Sequence, residues 1–340
     1  HMNTSGNTAA VEERQMTARH IFSLVSSELA LVEEEFERQA RSNIQVIAYI
    51  GDYLRASGGK RVRPALTLLS ASAAGGDASR QNVVRMATVM EFLHTATLVH
   101  DDIIDNAETR RNRPSINSRF GNQAAVLMGD WLYMSAFETS LQERSLTVLD
   151  ILTAVTRKMT EGELLQLTLL GRADVTEEQY FDVLRRKTAY LFSACCEIGS
   201  ILGGASPAVR RALQDYGMNL GTAFQLVDDL LDFTSDDDSL GKAAGADLLE
   251  GKVTLPLIYL LEEEPRMKAD VQSVMREGSY GAAARETFVR AAEKAGALER
   301  ARVRAASYAH AAVKSLEAVA PSKYTDGLRS IPAYILEREM

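Results

Sequence analysis

Two copies of one acidic pattern, Asp101-Asp102-Ile103-Ile104-Asp105 and Asp228-Asp229-Leu230-Leu231-Asp232, equip this chain for chemistry. On a helix, the first and fifth residues of such a pattern stand about one turn apart on the same face. Carboxylates so spaced suit hard, oxygen-preferring cations, and Mg²⁺ takes one or two of them together with substrate phosphates. Six carboxylates backed by apolar stretches are costly unless cations neutralise them. The two clusters read as jaws facing each other across a cavity, a clamp for a diphosphate. Solvated helix ends explain one such motif well and two poorly. Asp236-Asp237-Asp238 differs, because it lies in a Gly/Ser-containing stretch and reads as solvated surface.

Basic residues accompany both clusters. Arg110, Arg111 and Arg113 follow the first; Lys242 and Lys252 follow the second. Guanidinium groups match phosphate oxygens two at a time and keep their charge when partly buried. A third basic patch is Gly58-Gly59-Lys60-Arg61-Val62-Arg63-Pro64. Its glycines admit close backbone approach, Pro64 suits a first helical turn, and a helix N-terminus adds its own attraction for an anion. The Gly-x4-Gly spacing of a Walker A loop is missing, so this is a phosphate site of another design, for a second substrate. Glu91-Phe92-Leu93-His94 has the Glu-x-x-His spacing of di-iron bundles, but those need two copies and no other Glu here has His three residues later. His94 reads instead as a donor to a diphosphate oxygen or as a core residue, and His100 as support for Asp101.

No Ser-His-Asp or Cys-His arrangement stands out, and there is no GxGxxG. Cations, phosphates and an apolar helical interior point to departure of a diphosphate, leaving a carbocation. Such a cation survives only where water is excluded. The substrate class is therefore lipid-like, an allylic prenyl group.

The elements that position these groups are helical. Apolar spacing predicts a largely buried helix through Met86, Val89, Met90, Leu93 and Ala96 into the first cluster. Further helices are predicted over about Gln123–Leu141, Leu146–Leu169, Glu177–Leu202 and Ala208–Phe233. Breaks fall at Gly58-Gly59, Gly75-Gly76, Gly171, Gly203-Gly204 and from Ser235 to Gly245. Period-two alternation is scarce, and no linker marks a boundary. Residues 1–15 read as a tag scar (His1-Met2) and a loose N-terminus, and 16–340 as one all-α domain.

Composition bounds the rest. A net charge of −8 argues against nucleic acid as a partner. No apolar run approaches the roughly 20 residues of a membrane span, and no signal-peptide pattern is visible. The two cysteines, Cys195 and Cys196, are adjacent in an apolar run, so they read as core residues in a reducing cytoplasm rather than a disulfide or metal site.

With these motifs assembled, the chain resembles the trans-isoprenyl diphosphate synthases (polyprenyl synthetases), most closely long-chain, octaprenyl-type bacterial members. The likeness runs from about Gly58 to the C-terminus on GGKRVRP, EFLHTATLVHDDIIDNAETRR, Gly129-Asp130, Lys187-Thr188-Ala189 and FQLVDDLLDF followed by GKAAGADLLEGKVTLPL. It implies a bundle of mostly antiparallel helices around a deep central cavity, the isoprenoid synthase fold, and a homodimer. It further implies that Asp101, Asp102, Asp105, Asp228, Asp229 and Asp232 bind Mg²⁺, up to three ions per site. Arg110, Lys187, Thr188, Gln225, Lys242 and Lys252 would hold the allylic diphosphate or steady the departing pyrophosphate. Lys60, Arg63, His94 and Arg111 would bind isopentenyl diphosphate. The implied reaction is head-to-tail 1′-4 condensation, with a lipid product passed to membrane enzymes. Asn112-Arg113 replaces a frequent Gly-Lys, and Ala243 a frequent Pro, which touches loop geometry and removes no catalytic group.

Product length should be set along the helix upstream of Asp101. Short-chain members often carry an aromatic at the fourth or fifth position before the motif; here those are Thr97 and Ala96, with Leu93 a turn further on. One helical turn, about 5.4 Å, is comparable with an extended isoprene unit. Small residues there predict a long product, hexaprenyl to decaprenyl with octaprenyl central, and predict that Ala96→Phe shortens it. The alternatives are a farnesyl or geranylgeranyl synthase, a terpene cyclase, or a non-catalytic regulatory subunit. The second-substrate patch and two intact aspartate clusters favour elongation.

Overall fold

The computed structural model describes residues 16–56, 61–235, 245–281 and 285–338. The expectations for residues 1–15, Gly58-Gly59, Lys60, Asp236-Asp237-Asp238, Lys242 and Ala243 fall outside these. The helices that carry or brace the site are, in chain order, α1 (Ser26–Ala40), α2 (Val62–Ala73), α3 (Gln81–Ile104), α4 (Asn122–Ser140), α5 (Leu146–Leu169), α6 (Glu177–Leu184), α7 (Tyr190–Leu202), α8 (Pro207–Thr234), α9 (Ala297–Ser315) and α10 (Lys323–Glu337). Among the described residues the one extended pairing is a two-residue ladder, Thr109–Arg110 against Arg113–Pro114.

These boundaries follow local chemistry. Ser145 caps α5 by accepting from Val148 N, Thr176 and Gln179 form a reciprocal capping box at the start of α6, and Ser206 caps α8 ahead of Pro207. The stretch read as one helix from Glu177 to Leu202 is continuous, but a π-helical turn over Arg185–Ala189 divides it into α6 and α7. Such turns hold one residue more than the α-helix allows, and they occur often at functional sites.

α3 packs most extensively on α4, α7 on α8 and α2, and α8 on α9. One continuous apolar core runs from Ile21 to Ile335. Phe36 of α1 stacks on Phe92 of α3 (centroids 4.6 Å apart), and Phe92 meets the edge of Trp131 of α4. The glycine of the Gly129-Asp130 pair is a spacer: a Cβ there would collide with the His100 ring, so its absence lets α4 close on α3 beside the first motif. Cys195 and Cys196 are buried and free. Burial pushes the Cys195 thiol up to about 12, which leaves it inert as a nucleophile. No helix among the described residues is long and apolar enough to cross a membrane.

Candidate active site

Both aspartate motifs sit at the C-terminal ends of helices. α3 ends at Ile104 with Asp105 as its C-cap, and α8 ends at Thr234. That end of a helix carries the negative pole of its dipole and disfavours carboxylates. The placement is electrostatically uphill until cations arrive.

The motifs meet at a cavity of about 520 Å³. Its wall includes Asp101 and Asp228, with Glu163 of α5, Lys187 and Thr188 of the π turn, and Gln225 of α8. Apolar cover comes from Leu98, Met159, Leu191 and Phe224, and Tyr133 of α4 adds its ring. An adjoining cavity of about 160 Å³ shares Lys187, Thr188 and Gln225 and adds Asp229, Asp247 and Lys252.

Adjacent aspartates have different fates, because neighbouring helical side chains point about 100° apart. Asp101 faces the main cavity. Asp102 is buried and bound at both oxygens by Arg110, at 2.9 and 2.7 Å, which turns it away from the role of metal ligand expected for it. In the second motif Asp228 faces the cavity and pairs with Arg338 at 3.2 Å. Asp229 accepts from Gln225 Nε2 at 3.0 Å and from the Tyr180 hydroxyl. Asp232 is buried and takes the backbone N–H of Asp247 at 3.2 Å, so it fixes the returning loop instead of facing the main cavity. Asp105 pairs with Lys252 at 3.6 Å, which ties the first motif to the segment after the second.

Electrostatics follow from this enclosure. Burial, reinforced by Glu163 and Asp105 and opposed by Lys187, holds the Asp101 carboxyl well above the usual carboxylate range. Burial, then the Asp247 carboxylate, push Asp229 up to about 7. Burial alone would lower Lys252, but Asp105, Glu250 and Asp247 outweigh it and keep the ammonium charged. His94 is driven well below the ordinary imidazole value by burial and then by Arg63, Arg110 and Arg111, so it presents a neutral ring amid guanidinium charge. Arg63 lies against the rings of Phe192 and Phe224, 5.0 and 5.9 Å from their centroids. Its Nε is buried with no acceptor among the described residues, as suits a group awaiting an anion.

The hairpin bearing Arg110 and Arg111 turns through Arg111 and Asn112 at φ 48° and 65°. Positive φ at both central residues is the tight turn that suits a two-residue hairpin, and Asn accepts this geometry almost as glycine does. The replacement of Gly by Asn at 112 therefore leaves the loop intact.

Of the residues expected to set product length, Thr97 lies on the cavity wall, whereas Ala96 and Leu93 are fully buried and do not line it. Thr97 is one turn before Asp101 and shares its face. Ala96 is one turn before His100, which faces α4. Sequence reading missed Glu163, Gln166, Tyr180 and Arg338. A signal for the first two was a glycine, Gly162, inside a predicted helix.

The polyprenyl synthetase family model matches residues 44–291. This chain belongs to the polyprenyl synthetase family. Octaprenyl diphosphate synthase of Escherichia coli strain K12 is 37% identical over 324 residues, 95% of this chain and 100% of that protein. Geranylgeranyl diphosphate synthase of Methanosarcina mazei is 35% identical over 292 residues, 84% and 88% of the two chains. Among solved structures, a Caulobacter crescentus CB15 polyprenyl synthase, described as complexed with calcium and isoprenyl diphosphate, superposes with a TM-score of 0.88. It is 33% identical, with 94% of this chain and 97% of that one covered. The protein is thus a prenyltransferase of the trans-prenyl diphosphate synthase kind with the all-α isoprenoid synthase fold. The relatives span product lengths from geranylgeranyl to decaprenyl.

Proposed function

We propose that the protein condenses isopentenyl diphosphate head to tail with an allylic prenyl diphosphate, with Mg²⁺, and extends it to a long all-trans polyprenyl diphosphate, octaprenyl by preference. The observation that carries this reading is the single cavity shared by Asp101, Asp228, Lys187 and Arg63 under apolar cover. The donors fit a hard cation, being carboxylate oxygens from facing helix ends; Asp101 and Asp228, with Asp105 beside them, would hold it. Among the described residues no three such side chains gather to hold an ion alone, and Mg²⁺ characteristically completes its shell with water and phosphate. When bound, it neutralises the diphosphate and favours its departure.

The chain's own residues supply the rest. Lys187 and Lys252 offer ammonium charge to the departing pyrophosphate. Thr188 Oγ1 donates to Gln225 Oε1 at 3.0 Å, and Gln225 is held in turn by Asp229, so the wall beside the allylic carbon is braced. Arg63, His94 and Arg111 bind the second diphosphate together with Lys60, and Lys242 joins Lys187 and Lys252 at the first, with Lys60 and Lys242 assigned by sequence alone. The allylic C–O bond breaks with its electron pair leaving on pyrophosphate. The isopentenyl double bond then attacks the cation, and a proton is lost to the pyrophosphate. Leu98, Met159, Leu191 and Phe224 keep water from the cation.

Exposed Val126, Leu127 and Met134 on α4 and Leu164 and Leu167 on α5 support a homodimer through these neighbouring helices. The protein acts in the cytoplasm as one domain over 16–340, and its lipid product passes to membrane enzymes.

Purified protein given Mg²⁺, labelled isopentenyl diphosphate and farnesyl diphosphate is expected to yield a product ladder ending at hexaprenyl or beyond, read by reverse-phase chromatography after dephosphorylation. Products stopping at geranylgeranyl would sink the long-chain reading. Pyrophosphate release from the allylic substrate alone would indicate a cyclase.

The raised carboxyls predict a pH dependence. A folded-state value near 7 for Asp229, against 3.8 for an ordinary aspartate, means the metal-free fold gains from this group at low pH and loses that gain as pH rises through about 7. Asp101, which would hold the cation, is raised likewise, and a cation binds its ionised form and must expel the proton. Mg²⁺ affinity by calorimetry should therefore be stronger at pH about 8 than at pH about 6, with protons released at the lower pH. An affinity flat across that range contradicts the assignment.

A further inference from the structure

Lys187 is a residue of the site whose position depends on side chains outside every motif recognised in the sequence. It rises from the π turn and lies against α5 at Gly162. A Cβ at Gly162 would sit 2.9 Å from both Arg186 Cβ and Lys187 Cγ, so only glycine lets the lysine stem lie flat there. Two residues of α5 then grip the ammonium. Lys187 Nζ donates to Gln166 Oε1 at 2.5 Å and pairs with Glu163 Oε1 at 3.0 Å. Glu163 lines the same cavity as Asp101. Both ion-pair partners are largely shielded, with side chains 20% and 24% exposed, and both line the cavity.

A lysine has a flexible four-carbon stem and three rotatable donors, so left alone it presents its charge in many places. The grip of Glu163 and Gln166 removes that freedom before substrate arrives, and pre-paid ordering lowers a barrier when charge develops at a fixed point.

We propose that Glu163 and Gln166 are positioning residues that hold the Lys187 ammonium at a fixed point on the cavity wall, aimed at the departing diphosphate. Neither forms or breaks a covalent bond, and neither is consumed. The assignment rests on reading this cavity as the site of ionisation.

The test is a double-mutant cycle on the full chain: wild type, Glu163→Gln, Lys187→Met and the double variant, with kcat, both KM values and Tm measured at saturating Mg²⁺. Glu163→Gln keeps the shape and removes the charge. It should lower kcat about tenfold or more, leave the isopentenyl diphosphate KM within about twofold and leave Tm unchanged. In the Lys187→Met background the same change should cost less than about threefold. Gln166→Leu, with a smaller kcat loss and the same dependence on Lys187, stands in if Glu163→Gln does not fold. An undiminished Glu163 effect without Lys187, or no effect with it, overturns the proposal. Calorimetry of Mg²⁺-pyrophosphate binding to the same proteins gives a second readout. If the wild type makes no prenyl product, the functional reading fails, while the Glu163–Lys187 coupling is still judged from pyrophosphate affinity.

Discussion

Asp101→Asn should cut turnover by about 10²- to 10³-fold while leaving the fold as stable as before, or more stable at alkaline pH. The two halves have one cause. Burial and the neighbouring carboxyls raise the Asp101 carboxyl well above the usual carboxylate range in the metal-free protein, which favours its neutral form, and asparagine is the nearest neutral shape. A carboxyl whose folded value is raised costs stability once pH exceeds its unfolded value, so removing it relieves that cost. On the proposed function turnover needs the ionised form, whose oxygen would hold a cation beside the leaving diphosphate. Thermal melts at pH about 8 without metal, beside steady-state incorporation of isopentenyl diphosphate, separate these contributions. A variant that loses activity and Tm together would mark Asp101 as a packing residue instead.

Thr97→Phe should shorten the product from octaprenyl-like length to three or four isoprene units, while the first condensation stays within about threefold of wild type. Thr97 occupies the cavity wall one turn, about 5.4 Å, before Asp101. A ring there fills the space an extending chain must cross and leaves the diphosphate end untouched. Ala96→Phe makes the control. Ala96 is fully buried, so a phenyl there overpacks the core, at about 1–3 kcal/mol, and shortens the product only by displacing neighbours. Chromatography of dephosphorylated products from both variants decides the matter: full-length product from Thr97→Phe would move the gate elsewhere, to α4 or α5.

The helices were legible because their apolar period is strong. The stretches predicted at Leu146–Leu169 and Ala208–Phe233 are met by α5 and α8 to within a residue. The aspartate motifs were legible as clusters and illegible as individuals. Whether Asp101 or Asp102 faces the cavity depends on the rotation of α3 against α4, which side-chain packing sets. That Arg110 returns to grip Asp102 depends on a hairpin whose turn is carried by Arg111 and Asn112 at positive φ. Glu163 looked like any carboxylate on a helix, and only the fold reveals that it faces Asp101 and Lys187 across the cavity. The π turn's extra residue advances the apolar pattern by about 100°, but the run that follows, buried from Leu191 to Ser200, hides the change of phase.

That extra residue has an evolutionary corollary. A π turn holds one residue more than the same stretch of α-helix would, and Arg185–Ala189 is where this chain holds it. Losing one codon there would let the segment relax into uninterrupted α-helix, with its capping box and its buried faces on either side preserved. Lys187 and Thr188 would rotate by about 100° away from the cavity. A three-nucleotide deletion there is therefore a genetic path from this enzyme to a well-folded but silent paralogue, one that spares both aspartate signatures.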